Sequence, residues 1–163
     1  MGPIRYGRDR LAVDNSRIAL LSRCLGANST IVALSKHPEE FGNLAALVAV
    51  QPVSLRALAE TALAQVPGGI GLLETELKHL TGFDLDELSP LTYAKDVTTP
   101  TLVAQVRHDS STRPEDVQSI YDNLATTSKK LHWIEGTTRR FDGYNYFPDN
   151  PEQMLDWFTT HLS

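Results

Sequence analysis

Four apolar runs divide the chain. Ile18–Leu21, Leu44–Val50 and Thr101–Val106 are continuous runs, the pattern of strands buried on both faces of a parallel sheet. Lys130–Ile134 alternates enough to be a fourth strand. Between them the apolar period changes to that of helices. From Gly26 to Lys36, the residues Ala27, Thr30, Ile31 and Leu34 share one face, and His37-Pro38 stops the helix. Ser54 caps a helix in which Leu55, Leu58, Ala59, Ala62, Leu63 and Val66 recur at helical spacing until Pro67-Gly68-Gly69. A further helix takes Ile70, Leu73, Leu77 and Leu80 inward.

Phe83–Pro100 reads as a connector with one turn near Leu91–Ala94. Thr112 and Glu115 have capping-box spacing around Pro114, ahead of the stripe Val117, Ile120, Tyr121 and Leu124. The segment from Glu135 to Asn150 reads as a loop. Asn150-Pro151 opens a last helix with Met154, Trp157, Phe158, His161 and Leu162 on one face. Right-handed crossovers then give an α/β fold: about four parallel strands with helices on both faces. Residues 1–16 read as an N-terminal arm, 17–163 as the folded domain, and 53–82 as a lid-like helical insertion following a strand's C-terminal end.

Composition narrows the partners. With 163 residues the chain is long enough to bury roughly 70% of its unfolded surface. A net charge of −5 offers no basic patch for nucleic acid, and there is no apolar run of about 18 residues to span a bilayer. One cysteine cannot form an internal disulfide, and the first residues lack the apolar core of a signal peptide, so the expected location is cytoplasmic. The five histidines show no metal-ligand spacing, and no cofactor or metal is expected.

The chemistry centres on Ser22-Arg23-Cys24-Leu25-Gly26, which joins the first strand to the first helix. Small-x-nucleophile-x-Gly is the spacing of a nucleophile turn, because bulk two residues either side of the nucleophile would clash within it. Two further signals follow in order: Pro100–Asp109, a strand ending in Arg107-His108-Asp109, and Ile134–Tyr144 ahead of a helix carrying Leu155-Asp156-Trp157-Phe158. On these three segments the chain from about Arg17 to Leu162 resembles the C-terminal half of the α/β-hydrolase fold superfamily. The cysteine is similar to that of its dienelactone-hydrolase-like members.

The resemblance implies Cys24 as nucleophile, Asp109 as triad acid and the amide of Leu25 as an oxyanion donor. Two departures stand against a conventional triad. The loop that should supply the catalytic histidine has none. Arg139 stands about where that base is expected, and a guanidinium cannot take a proton from a thiol. His108 is the candidate substitute base, while Arg139 and Arg23 are the candidate substrate-binding residues. In addition, only some 16 residues precede the first strand, where a full hydrolase has several strands and its second oxyanion donor. Loss of one such donor costs on the order of 3 kcal/mol of transition-state stabilisation.

The expected function is therefore acyl or ester hydrolysis, on an oxygen ester or thioester, through a Cys24 thiolate with weak or altered activity. The alternative is a non-catalytic remnant of the fold, a possible pseudoenzyme that binds a small molecule or partner as a dimer. The apolar strand Ile18–Leu21 would lie at an open sheet edge, and the expectation is a homodimer formed through it.

Overall fold

The computed structural model describes Asp14 and residues 17–163, and the arm expected over residues 1–16 lies almost wholly outside them. The four apolar runs are four strands: β1 (Ile18–Arg23), β2 (Leu44–Val50), β3 (Thr101–Val106) and β4 (Lys129–Ile134). They form one parallel sheet in the order β1-β2-β3-β4. The helices are α1 (Leu25–Lys36), α2 (Pro38–Phe41), α3 (Leu55–Ala62), α4 (Gly69–Thr81), α5 (Pro90–Ala94), α6 (Pro114–Asn123), α7 (Arg140–Tyr144), α8 (Tyr146–Asp149) and α9 (Glu152–Leu162).

Sequential strand order fixes where the helices go. Right-handed crossovers between neighbouring strands put every connecting helix on the same face, whereas the helix after the last strand is free to cross beneath. Accordingly, Ala27, Ile31 and Leu34 of α1, Ala94 of α5, and Val117 and Ile120 of α6 bury Leu47, Ala49 and Val103 on one face. On the other face, Val48, Val50, Leu102, Ala104 and Val106 meet Phe147 and the α9 side chains Met154, Trp157 and Phe158. The alternation along β2 and β3 thus feeds two cores, which is why both strands are apolar at nearly every position.

Three local boundaries differ from the sequence reading. The Ser54 hydroxyl accepts from the Ala57 N–H as expected, but α3 ends at Ala62. Pro67 disfavours a helical conformation at Val66, and the chain leaves the helix in short turns from Leu63. The cap of α6 falls one residue later than Thr112: the Asp116 carboxylate accepts from the Arg113 N–H at 3.1 Å, with Pro114 at the first helical position. Thr112 is instead buried, with its hydroxyl 3.4 Å from the Gln105 amide nitrogen. The loop expected between Glu135 and Asn150 contains α7 and α8. Surface ion pairs from Arg56 to Glu74 and Asp86 tie α3 to α4 and to the connector beyond. No helix among the described residues is long and apolar enough to cross a membrane.

Candidate active site

Strand and helix directions determine which backbone groups surround Cys24. β1 delivers the residue to the C-terminal edge of the sheet, where its N–H donates to the Val50 carbonyl at 2.9 Å. Its carbonyl already accepts from the Asn28 N–H at 3.1 Å, as the first turn of α1 begins. Making strand and helix meet in so little chain forces Cys24 to φ 52° and ψ −124°. Such a backbone costs a non-glycine residue on the order of 1–3 kcal/mol, and it persists only where the surroundings over-determine it. The sulfur is half-buried, and the N–H of Leu25 donates to it from the positive end of the twelve-residue helix α1.

A second left-handed residue stands beside the first. Gln51, at the end of β2, has φ 52° and is fully buried. Its N–H donates to the Ala104 carbonyl at 2.7 Å, and its side-chain oxygen accepts from the Val106 N–H at 3.4 Å. Its amide nitrogen donates to the Arg140 carbonyl. Gln51 therefore fastens α7 to the strand ends. Gly143 is needed for this contact, because a Cβ there would lie 2.3 Å from the Gln51 amide nitrogen and 2.9 Å from Val106.

Held this way, Arg140 extends its guanidinium beneath the nucleophile turn. Nη1 pairs with Asp109 Oδ2 at 2.5 Å, Nε donates to the Tyr144 hydroxyl at 2.7 Å, and Nη2 donates to the Gln51 carbonyl at 2.8 Å. Nη2 also lies 3.8 Å from the Cys24 sulfur. The side chains of Arg140 and Asp109 are 11% and 0% exposed. Asp109 has further donors in the Gln105 amide at 3.1 Å and the Ser111 N–H at 2.7 Å, so the buried carboxylate is fully partnered.

The electrostatics follow from these contacts. Burial pushes the Cys24 thiol up, but hydrogen bonds to Tyr144 and Arg140, the Arg140 charge and the Leu25 N–H together bring it below its ordinary value. Burial also opposes the charge on Arg140, and Asp109 and the sulfur outweigh it, raising the guanidinium above its usual range. Tyr144 is pushed up to about 12, first by burial and then by its bond to the sulfur. The group thus holds a cation, a neutral phenol and a thiol that ionises more readily than an ordinary cysteine.

The residues singled out in the sequence divide sharply. Cys24, Leu25 and Asp109 are brought into one constellation. The place between acid and sulfur that Arg139 is expected to hold is filled by Arg140, one residue further on. Arg139 itself is 78% exposed and faces Asp142 at 3.8 Å. His108 is exposed and lies with Gly136, Thr137, Thr138 and Arg139 around a separate depression. Arg23 is exposed at the rim of an open depression of about 340 Å³ lined also by Cys24, Phe141, Tyr144 and Asn145. Its guanidinium donates to the Tyr144 carbonyl at 3.3 Å.

Gln51 is missed by reading the sequence, which offers Arg140 only as an anion contact beside Arg139 and Tyr144 only as a pocket-lining aromatic. The one signal available is the four-residue spacing of Arg140 and Tyr144, which places them on one face once α7 is known to be helical.

Among the described residues, no hydrogen bond joins any of the five histidines to Cys24. His132 packs on the Tyr146 ring at 5.1 Å, and His161 contacts Ser128 at 3.3 Å. No cluster of metal-ligating side chains occurs among the described residues.

No protein-family model matches the sequence, and no curated protein matches it. Solved structures do match in fold. An esterase of Pyrococcus furiosus superposes with a TM-score of 0.70 at 16% identity, over 98% of this chain and 59% of that one. An α/β hydrolase, GrgF, from Penicillium sp. gives 0.66 at 16% identity, covering 98% and 68%. An acylaminoacyl peptidase of Pyrococcus horikoshii gives 0.66 at 20% identity, covering 97% and 26%. The four parallel strands with helices on both faces are thus part of an α/β-hydrolase fold. The chain spans about 59% of the length of the esterase.

Proposed function

We propose that this chain uses Cys24 as a thiolate nucleophile for acyl transfer or ester hydrolysis, with slow or altered turnover. The observation that carries the reading is the backbone of Cys24. A strained turn presents the sulfur at the sheet edge, at the start of a helix, and beside a buried Arg140–Asp109 pair. Esterase and hydrolase neighbours of the same fold support the same class of chemistry. In the reaction, the sulfur attacks an acyl carbonyl and the Leu25 N–H is positioned for the developing oxyanion. Arg23 at the rim contacts the substrate. Covalent acylation of the protein by short acyl esters or thioesters, read by mass spectrometry, is expected to disappear in Cys24→Ala, and equal acylation of that variant overturns the reading.

A second reading, a non-catalytic dimeric binding protein, is favoured by two observations. An apolar groove of about 450 Å³ runs along α1 between Leu25, Asn28, Val32, Leu55 and Leu88, large enough for a small ligand. β1 is the edge of the described sheet. Because the Cys24 N–H bonds to β2, the period of the strand turns the N–H and C=O of Ala19, Leu21 and Arg23 to the open side, and Leu21 is 47% exposed. An antiparallel pairing of two copies about Leu21 would satisfy all of these groups and make an eight-stranded sheet. Light scattering at micromolar concentration is expected to return the dimer mass, and a monomer mass overturns the pairing.

A further inference from the structure

Arg140 differs from a catalytic histidine in one respect that bears on substrate. It fills the position between acid and nucleophile, but four of its five N–H donors have partners among the described residues and its charge is permanent. It can stabilise a thiolate, yet it can neither accept a proton from an attacking group nor deliver one to a departing group. Among the described residues, the other hydrogen-bond partners of the sulfur are the Leu25 N–H and the Tyr144 hydroxyl; the hydroxyl accepts from Arg140 Nε at 2.7 Å and gives its own proton to the sulfur, and at about 12 it is a poor acid near neutral pH. As built from the described residues, the site therefore suits steps in which nucleophile and leaving group both work as anions near neutral pH.

An oxygen ester fails that condition, because an alkoxide must be protonated as it leaves. Water fails it as well, because it must lose a proton as it attacks. Thiols satisfy it in both directions, being partly ionised near neutral pH. We propose that Cys24 exchanges acyl groups between thiols, taking them from thioesters and giving them to thiols. This deepens the nucleophile reading above and rests on it.

The balance closes without a base or an acid. In the first step the Cys24 thiolate attacks the thioester carbonyl. The new carbon–sulfur bond forms as the donor's carbon–sulfur bond breaks, and the electron pair leaves on the donor sulfur as a thiolate. In the second step an acceptor thiolate attacks acyl-Cys24, and the pair returns to the Cys24 sulfur. No proton moves at the enzyme, and nothing is oxidised or reduced. Arg140 faces a thiolate at the start and at the end, which a fixed charge can serve equally well. The Leu25 N–H serves the tetrahedral intermediate of each step.

The test compares matched donors and acceptors on the full chain, using acetyl thioester of a small thiol and the ethyl ester of the same acid. Mass spectrometry is expected to show one acetyl group on the protein from the thioester and none in Cys24→Ala. Acylation by the ethyl ester is expected to be slower by at least about 100-fold, the contribution a missing general acid withholds. The adduct is expected to persist in buffer and to clear on adding a second small thiol, whose own thioester then accumulates. Comparable acylation by the ethyl ester, or hydrolysis of the adduct as fast as its transfer to thiol, overturns the proposal and leaves the nucleophile reading standing. No adduct from either donor overturns both.

Discussion

The turn after β1 and the loop after β4 meet over the same sulfur and are built in opposite ways. The turn is almost all backbone: a strained Cys24, a carbonyl that starts α1, and an N–H aimed at the sulfur. The loop contributes side chains, with Arg140 and Tyr144 projecting from α7 into contacts with Asp109, Gln51 and Cys24. The turn presents the sulfur at the start of a helix and aims one N–H at it. The loop orients and stabilises the thiolate but offers no group that titrates near neutral pH. The contrast shows that holding a thiol by charge and hydrogen bonds and supplying a group able to move protons are separate properties, and that an arginine provides the first without the second.

The comparison breaks most visibly if the loop is cut from its acid. In Arg140→Ala the Asp109 carboxylate, 0% exposed, loses the one charged partner it has among the described residues. Removing one member of a buried ion pair costs about 3–5 kcal/mol because the other charge stays buried. Urea denaturation is expected to show a loss in that range, and a loss below about 1 kcal/mol means the pair does not hold the loop, since that is what an exposed pair contributes.

A smaller effect sharpens the comparison at the sulfur. Alkylation of Cys24 is expected to reach its plateau at lower pH than that of an ordinary thiol, because the folded protein favours the thiolate. In Tyr144→Phe a hydrogen bond that lowers the thiol is gone, so the midpoint moves upward while the plateau rate changes little. An unmoved midpoint assigns the bias to Arg140 and the Leu25 N–H alone. A midpoint above the ordinary thiol value removes the electrostatic argument altogether.

Much of the scaffold can be read from the chain, because buried parallel strands must be apolar on both faces and amphipathic helices repeat at 3.6 residues. Leu44–Val50 and Thr101–Val106 are strands with the expected bounds. The site is less legible. Small-x-Cys-x-Gly marks the turn, because the clash that selects small residues is local. Which of two adjacent arginines enters the site depends on the placement of α7, and that placement is set by Gln51, 89 residues away in sequence, against the missing side chain at Gly143 within the helix. Arg139 and Arg140 are equal by composition, but Arg139 precedes the helix in an extended conformation and Arg140 opens it.

The sequence by itself determined the sheet, the two apolar faces that cover it and the turn that carries Cys24, because each is a matter of periodicity or local sterics. Only the tertiary structure decided that Arg140 takes the place between Asp109 and the sulfur, and that Gln51 and Tyr144 belong with it. The contacts of Arg140 with Asp109, Gln51 and Cys24 join strand ends to a short helix 31, 89 and 116 residues away, and no local pattern encodes a meeting of that kind.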